Sequence, residues 1–121
     1  MSPFPSPTLL HNPRCSKSRA AKALLDERKV TYVERLYLDE PRSAAELREL
    51  RRRLDRPARE WVRAGEDAYR EAGLDAGSTD DALLDAMARH PILIERPILI
   101  LAGRAAVGRP LENIETLLLE T

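Results

Sequence analysis

The sequence predicts an α/β fold, a mixed sheet flanked by helices, laid out as βαβ, a helical insertion and then ββα. Three observations carry this. By Leu38 the chain has run through an apolar stretch, an Ala/Leu-rich stretch at helical spacing and a β-branched stretch, which is one βαβ unit. Cap signals and leucines at helical spacing then occupy residues 39–91. The strongly apolar Ile98–Leu101 follows, with a turn, a second short strand-like stretch and a closing amphipathic segment.

Taken in order, Pro3, Pro5 and Pro7 make residues 1–7 a flexible or extended leader, and Thr8 to His11 is a short strand. Helix one should run from Ser16 to Arg28, with Ala20, Ala21, Leu24 and Leu25 as its apolar stripe. Val30 to Leu38 alternates and reads as a second strand, parallel to the first because a helix connects them. Asp39-Glu40-Pro41-Arg42 breaks the pattern. Ser43-Ala44-Ala45-Glu46 is a capping box opening a helix that buries Leu47, Leu50 and Leu54. Its Arg51-Arg52-Arg53 run, flanked by Glu46, Glu49 and Asp55, reads as a solvated face rather than a nucleic-acid surface.

Beyond Pro57, Ala58–Gly65 and Ala68–Gly73 are short helical pieces. Ser78-Thr79-Asp80-Asp81 caps a helix with Leu83, Leu84 and Met87 inward, stopped by Pro91. Ile98–Leu101 is a strand, Ala102-Gly103 a hairpin turn and Ala105–Val107 the returning strand. Pro110, at the first helical position, opens a last helix with Leu111, Ile114, Leu117 and Leu118 inward. This order is that of a thioredoxin-like sandwich. In such folds a cis proline precedes the third strand beside the site, and Pro97 holds that position.

A chain of 121 residues suits one domain spanning 1–121 with a sizeable core. With a formal net charge of zero, no overall field draws it to nucleic acid or membrane, and neither is expected as a partner. The N-terminal segment lacks the features of a signal peptide. One cysteine excludes a disulfide framework and suits a reducing cytoplasm, where a monomer is expected. Two histidines and one cysteine without clustered spacing predict no metal site.

That one cysteine is the chemical focus. Cys15 sits at a strand-to-helix turn, where unpaired backbone N–H groups and the positive end of a helix dipole favour a thiolate. His11, Arg14, Lys17 and Arg19 place cationic or protonatable groups around the same point, which suits a reactive thiol that handles anions. Cys15-Ser16-Lys17-Ser18 is a C-x-x-S, in which Ser18 can donate a hydrogen bond to a thiolate but cannot close a disulfide. Any redox cycle therefore needs a resolving sulfur from another molecule.

Over Thr8 to Leu118 the chain resembles the glutaredoxin-like arsenate reductase family, the ArsC type. The resemblance rests on His11-Asn12-Pro13-Arg14-Cys15 with Ser18-Arg19, on Val62-Arg63 with Tyr69 and Gly73-Leu74, on His90-Pro91-Ile92-Leu93-Ile94-Glu95-Arg96-Pro97-Ile98 and on Gly108-Arg109-Pro110. It implies that Cys15 attacks arsenate, that Arg63, Arg96 and Arg109 hold the oxyanion, and that His11, Ser18, Arg19 and Pro97 support the site. It further implies glutathione as co-substrate and glutaredoxin as partner, with no bound cofactor. Planar guanidiniums suit the task, because they bind tetrahedral oxyanions in forked pairs.

In two respects the chain stands apart. Ser16-Lys17 replaces the small Gly-Thr pair that follows the cysteine in the family, adding charge and bulk at the pocket. The lone cysteine separates it from thioredoxin-coupled reductases, and Cys15 to Arg19 is too short for the phosphate loop of tyrosine phosphatases. Two alternatives remain open: a glutathione-dependent thiol reductase of this fold with no arsenic role, and a non-catalytic regulator that binds RNA polymerase. Ser18 in place of a second thiol weighs against the regulator.

Overall fold

A computed structural model describes residues 7–39, 43–101 and 103–120. The expected leader apart from Pro7, the break at Glu40-Pro41-Arg42 and Ala102 of the hairpin turn lie outside the described residues. The chain forms β1 (Thr8–His11), α1 (Ser16–Glu27), β2 (Val33–Leu36), α2 (Ala44–Leu54), α3 (Asp67–Glu71), α4 (Asp80–Arg89), β3 (Ile98–Leu101), β4 (Arg104–Val107) and α5 (Glu112–Leu119). Single 3-10 turns at Ala58–Glu60 and Pro91–Leu93 complete the segment between β2 and β3.

The sheet has the order β2-β1-β3-β4. Joined through α1, β1 and β2 run parallel, with Thr8 opposite Val33. β3 is antiparallel to both neighbours, pairing Leu99 with Leu9 and Ile98 with Val107. Every residue of β1 and β3 is buried, as expected for central strands covered on both faces.

Alternation along these strands divides the core in two. Leu9, Leu99 and Leu101 pack with Ala21 and Leu25 of α1 and with Ile114 and Leu117 of α5. On the other face, Leu10, Ile98 and Ile100 meet Leu47 and Leu50 of α2, Trp61, and Leu83, Leu84 and Met87 of α4. Helices thus cover both faces of a mixed sheet, a thioredoxin-like sandwich. Among the described residues, no helix is long and apolar enough to cross a membrane.

Several local expectations change: Ala58–Gly65 is not a helical piece but a 3-10 turn at Ala58–Glu60 followed by the Val62 bridge to Ile94, and Ala20 of the expected α1 stripe is exposed. β2 covers only Val33–Leu36, because the preceding residues are used in leaving α1: Lys29 is left-handed with φ 57, and Val30 N–H donates to the Leu25 carbonyl at 3.0 Å. α1 ends at Glu27, one residue early, with Arg28 as its cap. The basic run on α2 is not a uniformly solvated face. Arg53 is buried and its Nε donates to Glu49 Oε1 at 3.0 Å, while Arg51 pairs with Asp80. Pro110 does not open the last helix: the Arg109–Pro110 bond is cis, and α5 begins at Glu112.

The remaining cap signals act as read. Ser43 Oγ accepts from Glu46 N–H at 3.2 Å, and Thr79 Oγ1 accepts from Ala82 N–H at 3.1 Å. Such caps satisfy first-turn donors that have no partner inside the helix. Arg96–Pro97 is cis, matching the expectation for the residue ahead of β3.

Candidate active site

Cys15 is the N-cap of α1, with φ −98 and ψ 123, and is half-buried. The turn before it is tied by Cys15 N–H to the Asn12 carbonyl at 3.0 Å and by Arg14 N–H to Asn12 Oδ1 at 3.0 Å. Its thiol sits below the ordinary range through a balance of opposed effects. Burial pushes it up, but hydrogen bonds from the Ser18 and Lys17 backbone N–H groups and the nearby Arg96 guanidinium outweigh burial. The helix terminus predicted from sequence is therefore part of the activation.

The flanking residues take different parts from those expected. Arg14, Lys17 and Arg19 are exposed. Arg19 Nη1 donates to the Pro13 carbonyl at 2.8 Å, so it braces the loop. Ser18 is buried, and its hydroxyl accepts from Asn12 N–H at 3.0 Å and shares a 2.7 Å hydrogen bond with His11 Nδ1. It reaches the sulfur through its backbone, not its hydroxyl. Burial holds His11 below the usual imidazole range, with Glu34 opposing from 3.8 Å. A neutral His11 lends Cys15 no charge; it fastens the end of β1 to the first turn of α1.

The positive charge at the sulfur comes from the far end of the chain. Arg96 precedes β3 and Arg109 follows β4, so the hairpin register that pairs Ile98 with Val107 brings the two arginines together. Arg109 Nε donates to the Arg96 carbonyl at 2.6 Å, and its Nη2 lies 3.4 Å from Cys15 Sγ. Gly108 makes this approach possible: a Cβ there would lie 2.9 Å from Pro97 Cγ and 2.7 Å from Ile114 Cδ1. Its N–H donates to the Pro97 carbonyl at 2.7 Å.

Arg63 arrives from the opposite side, carried by the isolated bridge between Val62 and Ile94 and by its own N–H on the Leu93 carbonyl at 2.7 Å. Its Nη1 lies 2.9 Å from Glu66 Oε1 and its Nε 3.8 Å from Glu95 Oε1. Arg63 and Arg109 therefore both face one carboxylate, since Arg109 Nε is 3.0 Å from that same Glu95 oxygen.

Two residues of this neighbourhood escaped the sequence reading. Glu95 lies inside the motif run, but an acid among arginines carries no local signal of where it points. Tyr37, directly after β2, read as one more aromatic of a strand. It is buried, and burial pushes its hydroxyl up to about 12 despite the opposing Arg96 charge. Tyr37 Oη and Arg96 Nε are both shut off from solvent, and the Arg96 side chain reaches both the Tyr37 hydroxyl and the Cys15 sulfur. A groove of about 690 Å³ lies beside the cysteine rather than over it; Glu95 and Arg109 belong to its wall, with Trp61, Val107 and Asn113. No cluster of three or more potential metal ligands occurs among the described residues.

The structure thus sets a half-buried thiol at a helix N-terminus beside the Arg96 and Arg109 guanidiniums, with Arg63 on Glu66 and Glu95 rather than on the sulfur. The model of the ArsC family matches residues 10–117. The chain belongs to the ArsC family. Among its ArsC relatives, an arsenate reductase from Neisseria meningitidis is 51% identical over 117 residues, spanning 95% of this chain and 100% of the relative. One from Escherichia coli is 35% identical over 108 residues, 88% of this chain and 77% of the relative. The solved structure of an arsenate reductase from Vibrio cholerae superposes with a TM-score of 0.81 at 40% identity, covering 92% of this chain and 98% of that one.

Proposed function

We propose that this ArsC protein reduces arsenate to arsenite through Cys15, with glutathione as co-substrate and glutaredoxin as partner. The observation that carries the reading is Arg109 Nη2 at 3.4 Å from Cys15 Sγ, beside the Arg96 guanidinium. A thiolate held against fixed guanidiniums is a nucleophile with its oxyanion receptor already in place. The Tyr37 hydroxyl, buried beside the Arg96 guanidinium, adds hydrogen-bond capacity at the same point. The names of the relatives support arsenate as the oxyanion.

In this reading the Cys15 thiolate attacks As(V), forming an S–As bond while one arsenate oxygen leaves, protonated, as water. Glutathione thiolate then attacks the Cys15 sulfur. The S–As electron pair stays on arsenic, which departs as As(III), and Cys15 and glutathione remain joined as a mixed disulfide. A glutaredoxin thiolate takes the glutathionyl group and frees Cys15. Ser18 fits this scheme, because with a hydroxyl at that position the chain cannot resolve its own sulfur. A reducing cytoplasm supplies both thiols, and one monomer carries the whole site.

The test is a coupled assay with arsenate, glutathione, glutaredoxin, glutathione reductase and NADPH. NADPH should be consumed only when arsenate and the intact protein are both present, and Cys15→Ser should abolish the signal. Consumption unchanged in that variant would overturn the assignment.

A further inference from the structure

One oxygen of Glu95 sits between the Arg63 and Arg109 guanidiniums and on the Arg96 backbone N–H. Glu95 Oε1 lies 3.0 Å from Arg109 Nε and 3.8 Å from Arg63 Nε, and it accepts from the Arg96 backbone N–H at 3.2 Å. Those are the contacts an oxyanion's oxygen would seek. We propose that Glu95 is an internal counter-anion and a specificity-determining residue of this site, limiting the negative charge that the arginine cluster accepts from a tetrahedral oxyanion. The inference rests on the proposed reading of the cluster as an oxyanion receptor.

The charges around the sulfur support it. Arg63, Arg96 and Arg109 are opposed by Glu66, Glu95 and the Cys15 thiolate, so the occupied cluster has no surplus positive charge to offer a dianion. The Tyr37 hydroxyl, held well up its scale, stays neutral, and so does His11. Glu95 also competes directly, because its carboxylate is ion-paired with the Arg109 guanidinium, whose Nε proton goes to the Arg96 carbonyl, and faces Arg63 Nε. A dianion must share these donors with the carboxylate or displace it. Replacing the carboxylate by an amide keeps the size of the side chain and removes the charge, exchanging one acceptor oxygen for an NH2 donor, and the alanine variant controls for that exchange.

Because the chain has a single cysteine, alkylation of Cys15 by iodoacetamide reports occupancy of the site without any turnover. Inorganic phosphate, a tetrahedral oxyanion that cannot be reduced here, is the probe. In Glu95→Gln the phosphate concentration giving half-protection should fall on the order of tenfold, as expected for removing one charge a few ångströms from a dianion in a partly solvated site. Glu95→Ala should shift it the same way. Glu60→Gln, whose carboxylate pairs with Arg56 on the same groove, should stay within about twofold of wild type.

A second readout separates a charge role from a merely structural one. With the carboxylate neutralised, the Cys15 titration midpoint should move further down. If it moves up, or if phosphate protection is unchanged or weaker in both well-folded neutral variants, Glu95 only holds the arginines in place and the inference is overturned. Tighter phosphate binding without any arsenate turnover would sink the reductase reading and leave Glu95's role standing. Turnover with no phosphate shift would do the reverse. No protection of any variant by phosphate would overturn both.

Discussion

Arg109 and Cys15 are 94 positions apart in the chain, yet Arg109 Nη2 lies 3.4 Å from the Cys15 sulfur. The contact is built from both ends. On one side the helix terminus aims the Lys17 and Ser18 N–H groups at the sulfur. On the other, the Arg96 carbonyl holds Arg109 Nε at 2.6 Å, which fixes the guanidinium plane. The sulfur thus lies between two fixed sets of donors, the helix terminus and the Arg96–Arg109 pair.

The Cys15 thiol should titrate below the value of about 8.5 for a free cysteine. Ultraviolet absorbance of the thiolate measures this directly, since no other thiol contributes. Activity should follow the same curve, rising with pH through the midpoint and levelling above it. A midpoint at or above the free value would mean that burial wins and the helix terminus does not activate the sulfur.

Arg96→Ala and Arg109→Ala should each lower kcat/KM by about ten- to over a hundredfold, the equivalent of one charge-assisted contact of roughly 1.5–3 kcal/mol. Arg63→Ala should cost less, because Arg63 meets the cluster through Glu95 at 3.8 Å while its Nη1 is paired with Glu66. Lysine at positions 96 and 109 should not restore full activity, since a point charge lacks the fork. Arg52→Ala, on the exposed face of α2, should be silent in the same steady-state assay. Equal small effects at all four positions would remove the case for an oxyanion receptor.

Gly108→Ala should destabilise the fold by about 1–3 kcal/mol, the usual cost of overpacking. Ile114 Cδ1 is the end of a flexible side chain and can yield, but the Pro97 ring at 2.9 Å cannot without moving the loop beside the site. Thermal melts should show the loss, and kcat/KM should fall with it because Arg109 is the next residue. A variant as stable and as active as wild type would show that this close approach does not matter.

Burial depresses the His11 pKa in the folded chain, so the unfolded chain binds its proton first as pH falls. Stability from keeping His11 neutral is fully present above the unfolded value of about 6.5 and is lost as pH drops through the lower folded value. Melting temperature should therefore decline on the acid side of neutrality, and His11→Gln should flatten that decline. An identical slope in the variant would show that other groups govern the acid limb.

Much of this molecule was legible in local pattern. The alternating and helically spaced leucines mark β1, α1, α2, α4 and β3, because each element must turn an apolar face to the sheet or receive a covering layer. Ser43 and Thr79 mark helix starts through the orphan donors they satisfy, and Cys15 is marked by its place ahead of Ser16. Pro97 is cis where the order of elements predicts it. Such features depend on neighbours a few residues away, so the sequence alone determined them.

What surrounds the sulfur was decided by the tertiary structure. Arg96 and Arg109 meet because of the β3–β4 register, and both come to Cys15 because β3 pairs antiparallel with β1, with Leu10 opposite Ile98. No periodicity in the chain encodes that pairing. The same holds for the Ser18 hydroxyl, which turns to His11 instead of the thiolate, and for Arg53, whose burial depends on what covers α2. Tyr37 and Glu95 carried no site signal, because an aromatic after a strand and an acid beside an arginine are ordinary in sequence. Long-range register and the direction of side chains make them part of the site, and those follow from how the whole core closes.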